Sequence, residues 1–200
     1  MSLPFDADVM ARPLSMRARL RAATDEIHQA LHRAAPFAAI ADGTATRESY
    51  TGTLAFLYRY HSAMAGWCAA GAEALGAREL SHAHQARLVA LRQDLAVFGR
   101  AVPEVHEEPA RASAFAAGVL YTVQGSTLGG KVIHRQLDAL LPDDVWPEDG
   151  GRAFFKGGRD HGYHWQLLCA KLEQQSDAAA LEEGARHGFA RFAALMESRP

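Results

Sequence analysis

Apolar residues in this sequence recur at spacings of three and four, and no convincing two-residue alternation interrupts that rhythm. A chain patterned this way buries one stripe per helix and offers no half-buried strand, so the expected fold is all-α. From Arg17 to about Ala35, Leu20, Ala23, Ile27, Leu31 and Ala34 form one such stripe, closed by Pro36. Asp42-Gly43 turns the chain, and Thr46 is placed to cap a long helix reaching about Ala74. Its inward positions include Tyr50, Leu54, Leu57, Tyr58, His61 and Met64. A third helix is expected from about Ala77 to Phe98, ended by Gly99, and a fourth from about Ala110 to Leu140. Beyond a Pro- and Asp-rich loop ending at Gly150, two more follow, about Gly151 to Gln174 and Asp177 to Ser198. With short loops and no internal repeat, the pattern predicts a single-domain helical bundle over residues 15–200 behind a flexible N-terminal tail at 1–14.

The fourth helix contains the most informative local feature. Gly125-Ser126-Thr127-Leu128-Gly129-Gly130 places three glycines in six residues, although helix-favouring sequence flanks them on both sides. Each should cost a helix about 1 kcal/mol relative to alanine. Such a penalty persists where something must approach the backbone closely or where the helix must bend. A flat cofactor lying on the helix meets both conditions. Upstream, His28 sits at the edge of the first apolar stripe and is placed to hold the other face of such a cofactor, which points to a haem between two helices.

Ten histidines require weighing. His28 reads equally as a boundary residue of the stripe, and His32, one turn on, competes with it for any ligand role. His61 lies among aromatics, His134 falls on a polar face, and His82, His84, His106, His161, His164 and His187 read as surface or loop residues. Arg21 precedes His28 by two turns, about 10 Å of rise, a distance suited to a haem propionate, and a guanidinium binds carboxylates bidentately. The alternative for Arg21 is a solvated basic helix start shared with Arg17 and Arg19.

Composition narrows the setting. The formal charge of −2 gives no global attraction for nucleic acid or an anionic membrane. Cys68 and Cys169 form no Cys-x-x-Cys pair, so a reducing cytoplasmic location is expected. Met1 to Leu14 lacks the apolar core of a signal peptide, and no stretch is apolar enough to span a bilayer. Phosphate-loop, dinucleotide-binding and nucleophile-elbow signatures are absent, as is the covalent Cys-x-x-Cys-His haem attachment motif, so a haem would be held non-covalently.

Two segments go beyond generic helix. Leu20-Arg21-Ala22-Ala23-Thr24-Asp25-Glu26-Ile27-His28-Gln29-Ala30-Leu31 resembles the proximal helix of haem oxygenases, with its Leu-x-x-Ala-Thr-x-x-x-His pattern. Leu120-Tyr121-Thr122-Val123-Gln124-Gly125-Ser126-Thr127-Leu128-Gly129-Gly130 resembles the distal helix of the bacterial branch, which includes the enzymes supplying bilin to bacteriophytochromes. The resemblance implies a helical haem oxygenase fold and three successive oxygenations of haem b, which is both substrate and cofactor. Biliverdin, ferrous iron and CO would be the products, with O2 and an external electron donor such as ferredoxin or a reductase. It implies His28 as the iron ligand and Gly125, Gly129 and Gly130 as the distal glycines. Ser126 stands where many members carry an aspartate that orders water. Arg21, Thr24, Tyr121 and Phe189 would contact the haem, Arg21 near a propionate and Phe189 from the last helix. Basic positions that some members set against propionates correspond here to Trp165 or Cys169. Water held by backbone carbonyls, with Ser126 or Gln124, would deliver protons.

Two other readings use the same bundle. A haem carrier or sensor needs the same histidine and pocket but leaves the ring intact. A di-metal oxygenase would build on Asp25-x-x-His28 and Glu183-x-x-x-His187, although the two Glu-x-x-His turns and two further acids such a site needs are not evident.

Overall fold

The computed structural model describes residues 14–32, 35–106, 108–140 and 150–197, with the backbone alone at 32, 35, 36, 41, 127–129, 131, 132, 135, 136 and 138–140. Among the described residues the chain is helical and contains no strand. The helices are α1 (Met16–His32), α2 (Ala35–Ala41), α3 (Arg47–Ala63), α4 (Ala65–Ala74), α5 (Arg78–Val97), α6 (Ala114–Leu140), α7 (Ala153–Lys156), α8 (His161–Leu172) and α9 (Ala178–Glu197). Except for Leu14, the expected tail over 1–14 lies outside the described residues, as does most of the loop before Gly150.

Several boundaries differ from the sequence expectation. Pro36 falls in the first turn of α2, where a missing N–H is tolerated because no intrahelical acceptor awaits it. The long helix starting at Thr46 has the expected cap: the Thr46 hydroxyl accepts from the Ser49 N–H at 3.2 Å, and the Ser49 hydroxyl answers the Thr46 N–H at 2.8 Å. It breaks at Met64, however, where Glu108 crosses it. The Ala63 carbonyl accepts from the Glu108 N–H at 3.3 Å, and a Cβ on Gly66 would lie 2.6 Å from the Glu108 carbonyl oxygen. The expected helix from Gly151 splits in two. Gly157, at φ +66°, ends α7 in the left-handed region that favours glycine, before α8 begins. The start of α6, at Ala114, is four residues later than expected.

α9 is the spine, packed along α6 and also against α1 and α3. Close approach to α6 requires small residues. A Cβ on Gly118 would collide with the Leu181 carbonyl, and one on Gly184 with the Phe115 carbonyl. Around this contact Leu20, Tyr60, Met64, Leu120, Val123, Leu168 and Leu181 form one buried cluster. Tyr50, Leu54, Leu91, Leu95, Leu137, Phe154 and Phe155 belong to a second. Tyr50, Leu54, Leu57, Tyr58, His61 and Met64 are all buried, as their spacing predicted. His84 is not on the surface: it is 1% exposed, with its Nε2 3.3 Å from Nδ1 of His61. No helix of the described residues is long and apolar enough to cross a membrane.

Candidate haem site

α1 lies on α9 in matching register. The Arg19 guanidinium meets Glu182 at 2.8 Å, Arg186 Nε donates to the Ala23 carbonyl at 3.2 Å, and the His28 ring stands edge-on to Phe189 with centroids 5.7 Å apart. The contacts advance in the same direction along both helices. α6 climbs another side of α9. After the Gly118 crossing, Thr122 Oγ1 donates to the Ala185 carbonyl at 2.9 Å, and Gly188 faces Thr122. At about 100° per residue, Gly118, Thr122, Gly125 and Gly129 share one face of α6. Above the Thr122 contact that face therefore continues as bare glycine, one turn along from the level at which α9 presents Phe189 to His28. Among the described residues α1 and α6 do not pack extensively on each other; each rests on α9.

The glycines of α6 are of two kinds. Gly118 has no room for a Cβ. A Cβ on Gly125 would meet only the Trp165 indole at 3.6 Å, and one on Gly130 only Phe155 at 3.7 Å, both ordinary van der Waals contacts. Neither has a positive φ, and α6 is assigned as unbroken helix throughout the run. Gly129 shares that helical backbone. Neither backbone conformation nor internal packing accounts for Gly125, so its helix penalty fits a surface kept bare for a ligand, whereas Gly130 is buried against Phe155 on another face. His28 is exposed despite its ring contact, as is Ser126. The donor set and the bare helix fit a porphyrin.

The remaining residues sort by position. Arg21 is exposed, and burial with Cys169 alongside lifts the Tyr121 phenol above its ordinary value while Arg17 and Arg21 pull it back. Tyr121 is thus a neutral O–H donor with two guanidinium groups nearby. The Thr24 side chain is buried and its hydroxyl donates to the Leu20 carbonyl at 2.8 Å, so that hydroxyl serves the helix beneath His28. The Ser126 hydroxyl donates to the Val123 carbonyl at 2.7 Å and keeps its acceptor lone pairs. Gln124 is buried and its amide donates to the Leu80 carbonyl at 3.2 Å, tying it to α5. The side chain of His32 lies outside the described residues.

Sequence reading gave little weight to Trp165 and Arg17. Trp165 lies against Gly125, with its ring 5.5 Å from Tyr121, and the Arg17 guanidinium stands 5.9 Å from the indole. The signal for Arg17 was present: Arg17, Arg21, Thr24 and His28 follow one another by four, three and four along a single helical face. The two carboxylate-histidine fragments do not grow into a metal cluster, since no group of three or more His, Cys, Asp or Glu converges among the described residues.

A family model described as "Heme oxygenase" matches residues 14–198. The haem oxygenase of Xanthomonas campestris pv. campestris (strain 8004) is 33% identical over 123 residues, which cover 58% of this chain and 72% of that protein. Crystal structures share the fold. The NO- and CO-bound haem oxygenase of Neisseria meningitidis aligns with a TM-score of 0.68 at 22% identity, covering 92% of each chain. That of Leptospira interrogans aligns with a TM-score of 0.70 at 18% identity, over 93% of this chain and 100% of the other. The chain belongs to the haem oxygenase family and is a haem-degrading enzyme of all-α fold.

Proposed function

We propose that the substrate is haem b and that residues 15–200 act as one helical domain in the cytoplasm. The products are biliverdin, ferrous iron and carbon monoxide, formed with O2 and electrons from an external donor such as ferredoxin or a reductase. Biliverdin of this origin suits supply to a bacteriophytochrome. One observation carries the site assignment: Gly125 is a glycine that neither packing nor backbone conformation requires, on the helix flanking the His28–Phe189 pair.

Haem, when bound, supplies both the ring that is opened and the iron at which O2 is activated. His28 would provide an imidazole nitrogen to that iron. Arg21, with Arg17 beside it, would balance the propionates, with the neutral Tyr121 hydroxyl as a further donor. Gly125 and Gly129 would bring main chain to the haem and place no acidic or basic side chain there, whereas Gly130 lies round the helix against Phe155. Ser126 holds water through its oxygen rather than as a carboxylate. Phe189 packs against the His28 ring and limits its rotation.

Hemin titration followed by reductant and oxygen tests this reading. The wild-type Soret band should decay as bilin absorbance grows, whereas a carrier would retain it. His28→Ala should lose the spectral signature of axial nitrogen coordination. An unchanged spectrum in that variant overturns the ligand assignment.

A further inference from the structure

A cavity of about 350 Å³ lies behind α6, walled by α5, α7 and the first turn of α8. α6 lines it with Gln124 and Gly130. At about 100° per residue, the direction midway between these two points away from the Gly118, Thr122, Gly125 and Gly129 stripe. The cavity and the haem cleft therefore occupy opposite sides of one helix.

Arg87 of α5 lines this space with a guanidinium that pairs with no carboxylate of the described residues. Its Cζ stands 4.6 Å from the Phe154 ring centroid, and its Nε is sealed from solvent without a hydrogen-bond partner. Burial lowers it to about 9, so it remains charged at neutral pH. The side chains acting back on it include the Cys68 thiol and the Tyr60 phenol, both kept neutral by burial. No carboxylate among the described residues forms an ion pair with it. Arg87 is half-buried, and a guanidinium whose Nε is sealed and unpaired gains from an anion that reaches it. Lys156, His161 and His164 line the same space, and α8 begins there after Asp160 without a side-chain cap. Asp160, the one carboxylate among the lining residues, is exposed at the rim.

We propose that this cavity binds a small oxyanion, a carboxylate or a phosphate, gripped by Arg87 with help from Lys156 and the opening turn of α8. A guanidinium fork matches the spacing of two oxyanion oxygens, and an uncapped helix start adds oriented N–H groups. At about 30 Å³ per water, the volume admits such an ion with part of its hydration shell.

Isothermal titration with inorganic phosphate and, separately, acetate tests the site at constant ionic strength set by chloride. The haem-free and hemin-loaded chains, Arg87→Met and Lys156→Gln would be compared. Saturable binding of at least one anion in both wild-type states is expected. Arg87→Met should weaken it at least tenfold, and Lys156→Gln severalfold. Preference for phosphate identifies a phosphate ligand and preference for acetate a carboxylate, and either supports the site. Absence of wild-type binding, undiminished binding in Arg87→Met, or displacement of the anion by hemin overturns it. Should Arg87→Met lose its helical circular dichroism, Lys156→Gln decides: unchanged affinity there overturns the proposal.

Discussion

Gly118 and Gly125 lie on the same face of α6 yet should respond oppositely to a methyl group. At Gly118 a Cβ runs into the Leu181 carbonyl, so Gly118→Ala should destabilise the haem-free chain by about 1–3 kcal/mol through overpacking. At Gly125 the Cβ meets only Trp165 at ordinary distance. Gly125→Ala should therefore stabilise the haem-free chain by about 0.5–1 kcal/mol through helix propensity while slowing haem turnover. Urea midpoints on the haem-free variants, set beside bilin yield, check both signs. A stabilised and fully active Gly125→Ala would remove the glycine argument. His61 and His84 add a pH term. Burial, then Arg87, holds both below their ordinary value, His84 at about 3. Below about pH 6.5 the unfolded chain takes up protons that the folded chain refuses, so stability falls as pH falls through that value and continues to fall toward the folded-state pKa. Each histidine contributes up to about 1.4 kcal/mol per pH unit in that window. Urea unfolding between pH 6.5 and 5 should show a shallower slope in His84→Gln, and an unchanged slope would contradict the burial account. This histidine was legible: Leu80, His84, Leu88, Leu91 and Leu95 follow at helical spacing, and reading His84 as surface overlooked its place in that stripe.

Among the elements, α7 depends most on a partner distant in sequence. Its four residues carry Phe154 and Phe155 into the core, and Asp94 of α5 caps it, with the Ala153 N–H at 2.8 Å and the Phe154 N–H at 2.9 Å on its two carboxylate oxygens. A turn this short does not persist alone. Asp94→Ala leaves two amides without that acceptor and should cost about 1–3 kcal/mol, with amide exchange accelerating first at Ala153 to Lys156. Uniform protection loss across α5 instead would mean the carboxylate supports its own helix. The capping box at Thr46 and the end of α5 before Gly99 are written locally, so sequence found them. The breaks at Met64 and Gly157 are not. One arises from the passage of Glu108 over Gly66, and the other from a left-handed glycine whose neighbours still read as helix. Local pattern cannot report a contact made by a distant segment.

At the scale of the molecule, the two proposed walls of the haem cleft are legible in the sequence, and the helix that joins them is not. His28 and the distal glycines stand out by residue type and spacing. What joins them is the register of α9 against α1 and α6, carried by pairs such as Arg19–Glu182 and Thr122–Ala185. Periodicity within one helix is silent about such pairing. The same register has a temporal consequence. α1 leaves the ribosome early, but Phe189 and the carbonyl that anchors Thr122 arrive only with α9. While translation is under way, the imidazole and the glycine helix have nothing to hold them level with each other, and any porphyrin they met would be weakly retained. At the proposed site, tight capture of haem would therefore wait until α9 has been made.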